Sequence, residues 1–577
     1  MQKRTPPGSL ASRGITVTTL TGAGVGRGSA VGPVLIMAEH LPAPEATPFT
    51  GDAAAEIERT LAALAETALE LQATGERAGG EAKEVLESQA LMAQDPAIAD
   101  DVRDRIDGGV SGEYAVHEAF AQFQTMLTSL GGYMAERAAD LGDVAQRVIA
   151  NLRGVPVPGL PESDVPFVLV ARDLAPADTA LLDLTKVLAV VTSGGGPTSH
   201  TAILARSKGI PAVVGADGAL GLVSGGVVIV DAAAGTIDSA PTDEAISAAQ
   251  AAIAARAAAA AEPVTPGRLA DGTAVPLLAN VGSAADAASA IELGAEGVGL
   301  FRTEFLFLDA ASAPTVESQE AQYRELFAAF SGKKVVVRVL DAGADKPLEF
   351  LTDDGEENPA LGRRGLRALR AHEDILRDQL RALVEAADGT GVDLWVMAPM
   401  VADSEDGAYF TALARELGVR VAGVMVEVPS AALLAEQILD DADFISIGTN
   451  DLTQYTLAAD RQLGTVANYQ DPWHPAVLRL VGEAGRAGAA TGKNVGVCGE
   501  AAADPLLAVV LVGLGVTTLS MSAAALADVR HELLGHTLAE AQELAAGVVA
   551  SRTAAGARAK AAEIVAARRA ADDAPEH

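Results

Sequence analysis

The chain is read as a multidomain α/β protein: an α/β domain carrying a helical insertion, then a linker, then a C-terminal TIM (β/α)8 barrel. Three observations predict this. Residues 52–152 are rich in Ala, Leu, Glu and Gln with apolar positions three and four apart, and glycine-punctuated strand patterns flank them on both sides. From about residue 270 to 540, eight short apolar runs alternate with helical stretches, which is the repeat of a βα barrel. Between these regions lies an alanine-rich segment, 244–262, without a bulky apolar stripe.

In chain order, residues 1–51 supply the first strands of the α/β domain, where β-formers alternate with glycine from Val17 to Ile36. The helical insertion, 52–152, is broken only near Asp95-Pro96 and Gly108-Gly109. The β pattern returns in 153–243 with FVLVA, KVLAVV, PAVVG and GGVVIVDAAAG. Residues 244–266 form a linking helix ended at Pro263, a place for a hinge. The barrel, 267–540, has its eight strands in VPLLAN, GVGLFR, VVVRVL, LWVMAPM, VAGVMVE, FISIGTND, NVGVCGE and VTTLSMS. The uncharged run Pro505–Ala527 is long enough to span a bilayer, but Gly513, Gly515 and its Thr and Ser residues divide it into a short helix, a turn and a strand of buried core. Residues 541–577 read as a charged helix with a frayed tail.

The 577 residues allow several hydrophobic cores. A formal charge of −35 disfavours nucleic acid and acidic lipid as partners. One cysteine, Cys498, excludes an intrachain disulfide, and no continuous apolar stretch follows the basic N-terminus, so a cytoplasmic protein is expected.

A barrel presents its active site at the C-terminal ends of its strands. Those ends carry Asn280, Arg302, Arg338, Glu427, Asn450 with Asp451, and Cys498 followed by Glu500. Loops begin at strand ends and are often polar, but a set of two arginines, two carboxylates and the only thiol points to a site. Two arginines on adjacent strands can hold a phosphate or carboxylate through planar, bidentate donors. Glu427 and Asp451 are hard oxygen ligands without a His or Cys partner, which suits Mg²⁺. The same two carboxylates would also serve as salt-bridge partners of the arginines, and spacing leaves both readings open. Arg364 and Arg461 add positive charge in βα loops, where each would equally be a solvated loop residue.

A second constellation runs from Gly194 to Gly215, GGGPTSHTAILARSKGIPAVVG. Three glycines follow a strand, Thr198 and Ser199 are good N-cap residues, and His200 falls in the first turn of the next helix. A phosphoryl group on this imidazole would face free N–H groups and the positive helix end. Taken alone, such a histidine reads first as one packed beside a Gly-rich turn.

At these residues the chain resembles the enzyme I family of the bacterial phosphoenolpyruvate-dependent sugar phosphotransferase system, from about Gly24 to about residue 535. The motifs are GGGPTSHTAILAR, DFISIGTNDLTQYTLAADR, GVGLFRTEFLF, VVVRVLDAGADKP, ENPALGRRGLR, GVMVEVP and VCGE. The resemblance implies that His200 is phosphorylated on Nε2, and that Arg302 and Arg338 grip the phosphate of phosphoenolpyruvate. It implies Glu427 and Asp451 as Mg²⁺ ligands, Asn450, Asp451, Arg461 and Arg364 on the substrate, and Cys498 as the acid at the methylene carbon, yielding pyruvate. By position, Thr179 would be a hydrogen-bond partner of the histidine ring. It further implies a swivelling phosphohistidine domain, a phosphocarrier protein, HPr, docked on the helical insertion, and a homodimer formed through the barrels. Ala344 and Arg363 depart from the commoner family pattern without removing a proposed ligand.

Pyruvate phosphate dikinases and phosphoenolpyruvate synthases share the histidine domain and barrel but add a large nucleotide-binding domain. The roughly 165 residues before the main β segment are too few for it beside the helices, and no Walker-type loop is present. A non-catalytic scaffold would predict loss of the barrel residues, yet His200, Arg302, Arg338, Glu427, Asp451 and Cys498 are all there.

Overall fold

The structure, a computed structural model, describes residues 19–572 except 27, 39–40, 47, 79, 131, 156, 158, 162, 175–181, 184, 197–198, 261–262, 308–309, 311, 343–347, 349, 352–355, 461–462, 464–465 and 467–468; the side chain of His200 is also outside the description. Arg461, Thr179 and Ala344 lie outside the described residues. The chain divides into two compact units, Met1–Ala254 and Ala255–His577.

The first unit contains an eight-stranded sheet in the order β1-β8-β7-β3-β4-β5-β6-β2. Its strands are β1 Thr19–Thr21, β2 Ala23–Val25, β3 Ser29–Ile36, β4 Phe167–Ala171, β5 Val187–Thr192, β6 Ala212–Val214, β7 Val227–Asp231 and β8 Thr236–Asp238. The central strands β3 to β6 run parallel, and β4 is buried throughout, as the unbroken apolar run FVLVA requires. β3 pairs directly with β4, so the helices between them are an excursion from one sheet.

That excursion comprises α1 Ala53–Ala78, α2 Gly80–Ala93, α3 Pro96–Asp107, α4 Gly112–Leu130 and α5 Gly132–Arg153. In α3, Ile98, Val102 and Ile106 recur at four-residue spacing and are all buried, giving one apolar face. Asp95 accepts from the Ala97 N–H and Pro96 opens the helix, which explains the break read at Asp95-Pro96. The faces close on a shared core that includes Leu64, Leu71, Phe120, Val144 and Val148. Each such side chain contributes about 1.5–3 kcal/mol on burial.

The alanine-rich helix is Asp243–Ala260, and none of its described side chains is buried. Alanine's helix propensity, not a packed stripe, accounts for it.

The second unit is a closed barrel of parallel strands: β9 Leu277–Val281, β10 Gly297–Arg302, β11 Lys334–Arg338, β12 Asp393–Ala398, β13 Val421–Val426, β14 Phe444–Ile447, β15 Asn494–Val497 and β16 Thr518–Met521. Each pairs with the next in sequence and β16 closes on β9, so the eight apolar runs are eight barrel strands. The run Pro505–Ala527 resolves into the helix Pro505–Gly513, a turn through Gly515 and β16, with Leu507 to Val512 buried. Among the described residues no helix is long and apolar enough to cross a membrane. The C-terminal segment differs from the single helix expected. Leu538–Val549 begins with a capping box of Thr537 and Glu540, and Ala554–Asp572 starts afresh where Thr553 accepts from the Gly556 N–H at 3.0 Å.

Candidate active site at the barrel mouth

Arg302 and Arg338 close adjacent parallel strands and stand opposite each other in register. Their surroundings differ sharply. Arg338 is buried; its Nη2 donates to Glu304 Oε1 at 2.6 Å, and Nη1 lies 3.1 Å from Asp341 Oδ2 and 4.0 Å from Glu427 Oε1. Burial pulls its proton affinity down, but Glu304, Asp341 and Glu427 more than reverse this, leaving the guanidinium above its usual range. The Arg302 side chain makes no hydrogen bond or ion pair with a described residue. Burial, and then the Arg338 charge, lower its proton affinity from the ordinary arginine value. The guanidinium nonetheless stays charged. The pair therefore sets one guanidinium ion-paired to carboxylates beside one that has no ion pair among the described residues.

Glu427 and Asp451 are both buried. Burial first, then the charges of Asp451 and Asp341, push the Glu427 carboxyl well above its usual range, against the opposing pull of Arg338 and Arg364. Glu427 Oε2 accepts from the Met400 N–H at 2.9 Å. Met400 holds a left-handed backbone, φ 58°, to present that N–H, a conformation that costs a non-glycine residue about 1–3 kcal/mol. Arg364, expected on the substrate, is ion-paired here: Nη1 lies 2.8 Å from Asp451 Oδ1, and Nε and Nη2 donate to Asp341 at 3.3 and 3.1 Å. Tyr455 accepts from Nη1 at 3.2 Å and donates to the Ala360 carbonyl. Spacing had left open whether the carboxylates are salt-bridge partners, and both are: Asp451 of Arg364, and Glu427, at 4.0 Å, of Arg338. Among the described residues, no three His, Cys, Asp or Glu side chains form a metal cage. Two neighbouring hard carboxylates, with the Asp451 charge helping to raise Glu427, are nonetheless a donor set of the kind that suits a hard divalent cation.

Cys498, just beyond β15, is buried, and its Sγ lies 3.6 Å from the Ile447 carbonyl. Burial pushes the thiol up to about 11, so it is protonated at neutral pH. Asn280 Nδ2 donates to the Cys498 carbonyl at 3.0 Å, and Ser520 donates to Asn280 Oδ1. Asn450 Oδ1 accepts from the Glu500 N–H at 3.3 Å. Gly499 between them has no room for a side chain: a Cβ there would lie 1.9 Å from Thr449 Oγ1 and 2.7 Å from its backbone nitrogen. The close approach of β14 and β15 at their ends thus depends on the glycine of VCGE.

In the first unit, His200 is the first residue of the helix His200–Lys208, and Ser199 caps it by accepting from the Ala202 N–H at 3.3 Å. Thr201, fully buried, donates to Asp173 Oδ1 at 2.7 Å and accepts from the Leu174 N–H, pinning the helix start to the segment after β4.

Sequence reasoning missed Glu304, Asp341 and Tyr455. Glu304 and Asp341 lie two and three residues beyond the arginines, inside motifs already noted. Extending the strand-end test by three positions would have found them. Tyr455 also lies inside a quoted motif, DFISIGTNDLTQYTLAADR, but sits more than a turn into the helix Thr449–Leu457, beyond the reach of a strand-end test.

Three phosphoenolpyruvate-utilising family models match the chain: the N-terminal domain over residues 21–137, the mobile domain over 164–235 and the phosphoenolpyruvate-binding domain over 256–537. The phosphoenolpyruvate-protein phosphotransferase of Streptomyces coelicolor is 54% identical, across 94% of this chain and 98% of that protein. The protein of the same name from Bacillus subtilis is 37% identical, across 92% of this chain and 97% of its own. The solution structure of Enzyme I (nEIt) is 33% identical over 40% of this chain and 97% of that one, with a TM-score of 0.36. On identity sustained over nearly the full length of both chains, this chain belongs to the phosphoenolpyruvate-protein phosphotransferase family, enzyme I.

Proposed function

We propose that the chain transfers phosphoryl from phosphoenolpyruvate to His200 and on to the phosphocarrier protein HPr, releasing pyruvate, as the first step of the sugar phosphotransferase system. The observation that carries this reading is the arginine pair beside a protonated thiol: Arg302 lacks a counter-ion among described residues while Arg338 is held by Glu304 and Asp341. Arg302 binds and orients the substrate phosphate, with Arg338 beside it. Asn450 and Arg461 hold the rest of the substrate, and Arg364 joins them by exchanging a carboxylate partner. As the bond between the enol oxygen and phosphorus breaks and a bond from phosphorus to Nε2 of His200 forms, negative charge moves onto the enolate oxygen. Fixed cationic donors favour that change. The Cys498 thiol then delivers its proton to C3, giving pyruvate. Glu427 and Asp451 would hold Mg²⁺, which when bound supplies further positive charge for the enolate and phosphoryl oxygens.

His200 serves two partners, the barrel mouth and HPr on α1–α5, and in-line transfer requires reacting atoms within about 3–3.5 Å. The helix Asp243–Ala260, which buries none of its described side chains and whose Arg256 pairs with Asp528, supports a swivel of the histidine domain between them. The same reading includes a homodimer through the barrels and a cytoplasmic setting. The test is to incubate the protein with labelled phosphoenolpyruvate and Mg²⁺, without nucleotide. His200 becomes labelled with an acid-labile phosphate and His200→Ala takes up none; a requirement for ATP, or labelling that persists in the variant, overturns the proposal.

A further inference from the structure

Gln379 sits fully buried on the helix Glu373–Ala387, outside the ring of strands, and is the hub of a polar chain. Its Oε1 accepts from the Leu340 N–H at 2.9 Å, and its Nε2 donates to Thr303 Oγ1 and to the Tyr323 hydroxyl, each at 3.1 Å. Thr303 passes the chain on by donating to the Arg338 carbonyl at 3.1 Å, and Tyr323 does so to Gln319 Oε1 at 3.1 Å. Thr303, Tyr323 and Gln319 are as deeply buried as Gln379. Each hydroxyl accepts one bond and donates one, so the amide has a single orientation that satisfies every partner.

The placement of this chain matters more than its size. Thr303 directly follows Arg302, while the Arg338 carbonyl and Leu340 N–H flank the other arginine. Between β10 and β11 the register is irregular from Val298 to Phe301, just before the arginines. Regular pairing resumes only at Phe301 with Val337 and Arg302 with Arg338, the strand ends where two like charges meet, and Gln379 ties those ends together from behind.

We propose that Gln379 is a positioning residue for the phosphate grip, acting through Thr303 and the main chain around Arg338 to fix the separation of the two guanidinium groups. This rests on the reading of Arg302 and Arg338 as phosphoenolpyruvate ligands. Displacing such groups by about 1 Å can lower rates on the order of 100-fold.

The experiment measures His200 phosphorylation by phosphoenolpyruvate in the full chain for Gln379→Met, Thr303→Val and Thr303→Ser. Wild type must label first; if it does not, the functional reading itself has failed, independently of Gln379. With wild type active, Gln379→Met and Thr303→Val should lower kcat/KM about 10- to 100-fold, chiefly through a KM for phosphoenolpyruvate raised at least about tenfold. Thr303→Ser, which keeps the hydroxyl, should restore KM to within about twofold. If Gln379→Met does not fold, the Thr303 pair decides alone. A lowered unfolding temperature with the phosphoenolpyruvate KM unchanged in Thr303→Val would make the chain a structural feature of the core and overturn the proposal.

Discussion

Replacing Arg302 and Arg338 by Met, one at a time, separates their roles because the two share a residue type and a barrel mouth but not an electrostatic setting. Arg338→Met leaves Glu304, 2.6 Å from its guanidinium, without that buried counter-charge, and leaves Asp341, at 3.1 Å, to its pair with Arg364. Breaking one side of such a buried pair costs about 3–5 kcal/mol. For a unit of about 320 residues, at roughly 2.1 cal/mol/K per residue, that lowers its midpoint of unfolding by about 4–7 °C. Arg302→Met removes a charge that no described carboxylate pairs and that Arg338 repels. Its effect on stability should lie within about 1 kcal/mol of zero. Both variants should lose phosphoenolpyruvate-dependent labelling of His200. Calorimetry of each variant, with labelling measured in parallel, provides the comparison. An Arg302→Met protein destabilised as strongly as Arg338→Met would show that Arg302 has a structural ion pair, and the argument for an anion seat between the two would fall.

The remaining predictions concern the thiol, the carboxylates and the isolated barrel. Cys498→Ser should keep phosphoenolpyruvate binding but lose about 10²- to 10⁴-fold in pyruvate formation, the usual contribution of a placed general acid; turnover within about threefold of wild type would reduce Cys498 to a packing role. The protonated thiol is the working form and burial raises it to about 11, so its contribution holds below that pH and is lost above it. A pH–rate profile should show no Cys498-dependent fall between pH 8 and 9, where an ordinary thiol ionises. Chelation of divalent metal, or Asp451→Ala and Glu427→Ala singly, should abolish labelling while the barrel stays folded, and full labelling in both variants would remove the metal assignment. Finally, a fragment from residue 255 onward, which has its own closed barrel and core, should fold and sediment as a dimer. A folded monomer would place the dimer contacts elsewhere.

The barrel was legible in the sequence because its strands are largely buried and read as short apolar runs, such as VAGVMV in β13, that need no knowledge of neighbours. The helical excursion was legible because a face of period near four, as in Ile98, Val102 and Ile106, is a local property. The candidate site was visible as a set of polar residues ending those runs, since strand-end position is also local. What the linear chain does not contain is which charge faces which. Spacing made Arg302 and Arg338 equals and let Arg364 stand on the substrate. The fold gives Arg338 three carboxylates, leaves the Arg302 side chain without an ion pair among described residues, and sets Arg364 between Asp341 and Asp451. Gln379 was invisible for the same reason, as an amide on an amphipathic helix becomes a link between two strands only after folding brings Thr303 and Leu340 to it. Hydrophobic periodicity depends on neighbours in sequence, whereas Coulomb energies and hydrogen bonds fall off over a few ångströms in space, so only the tertiary structure assigns their partners.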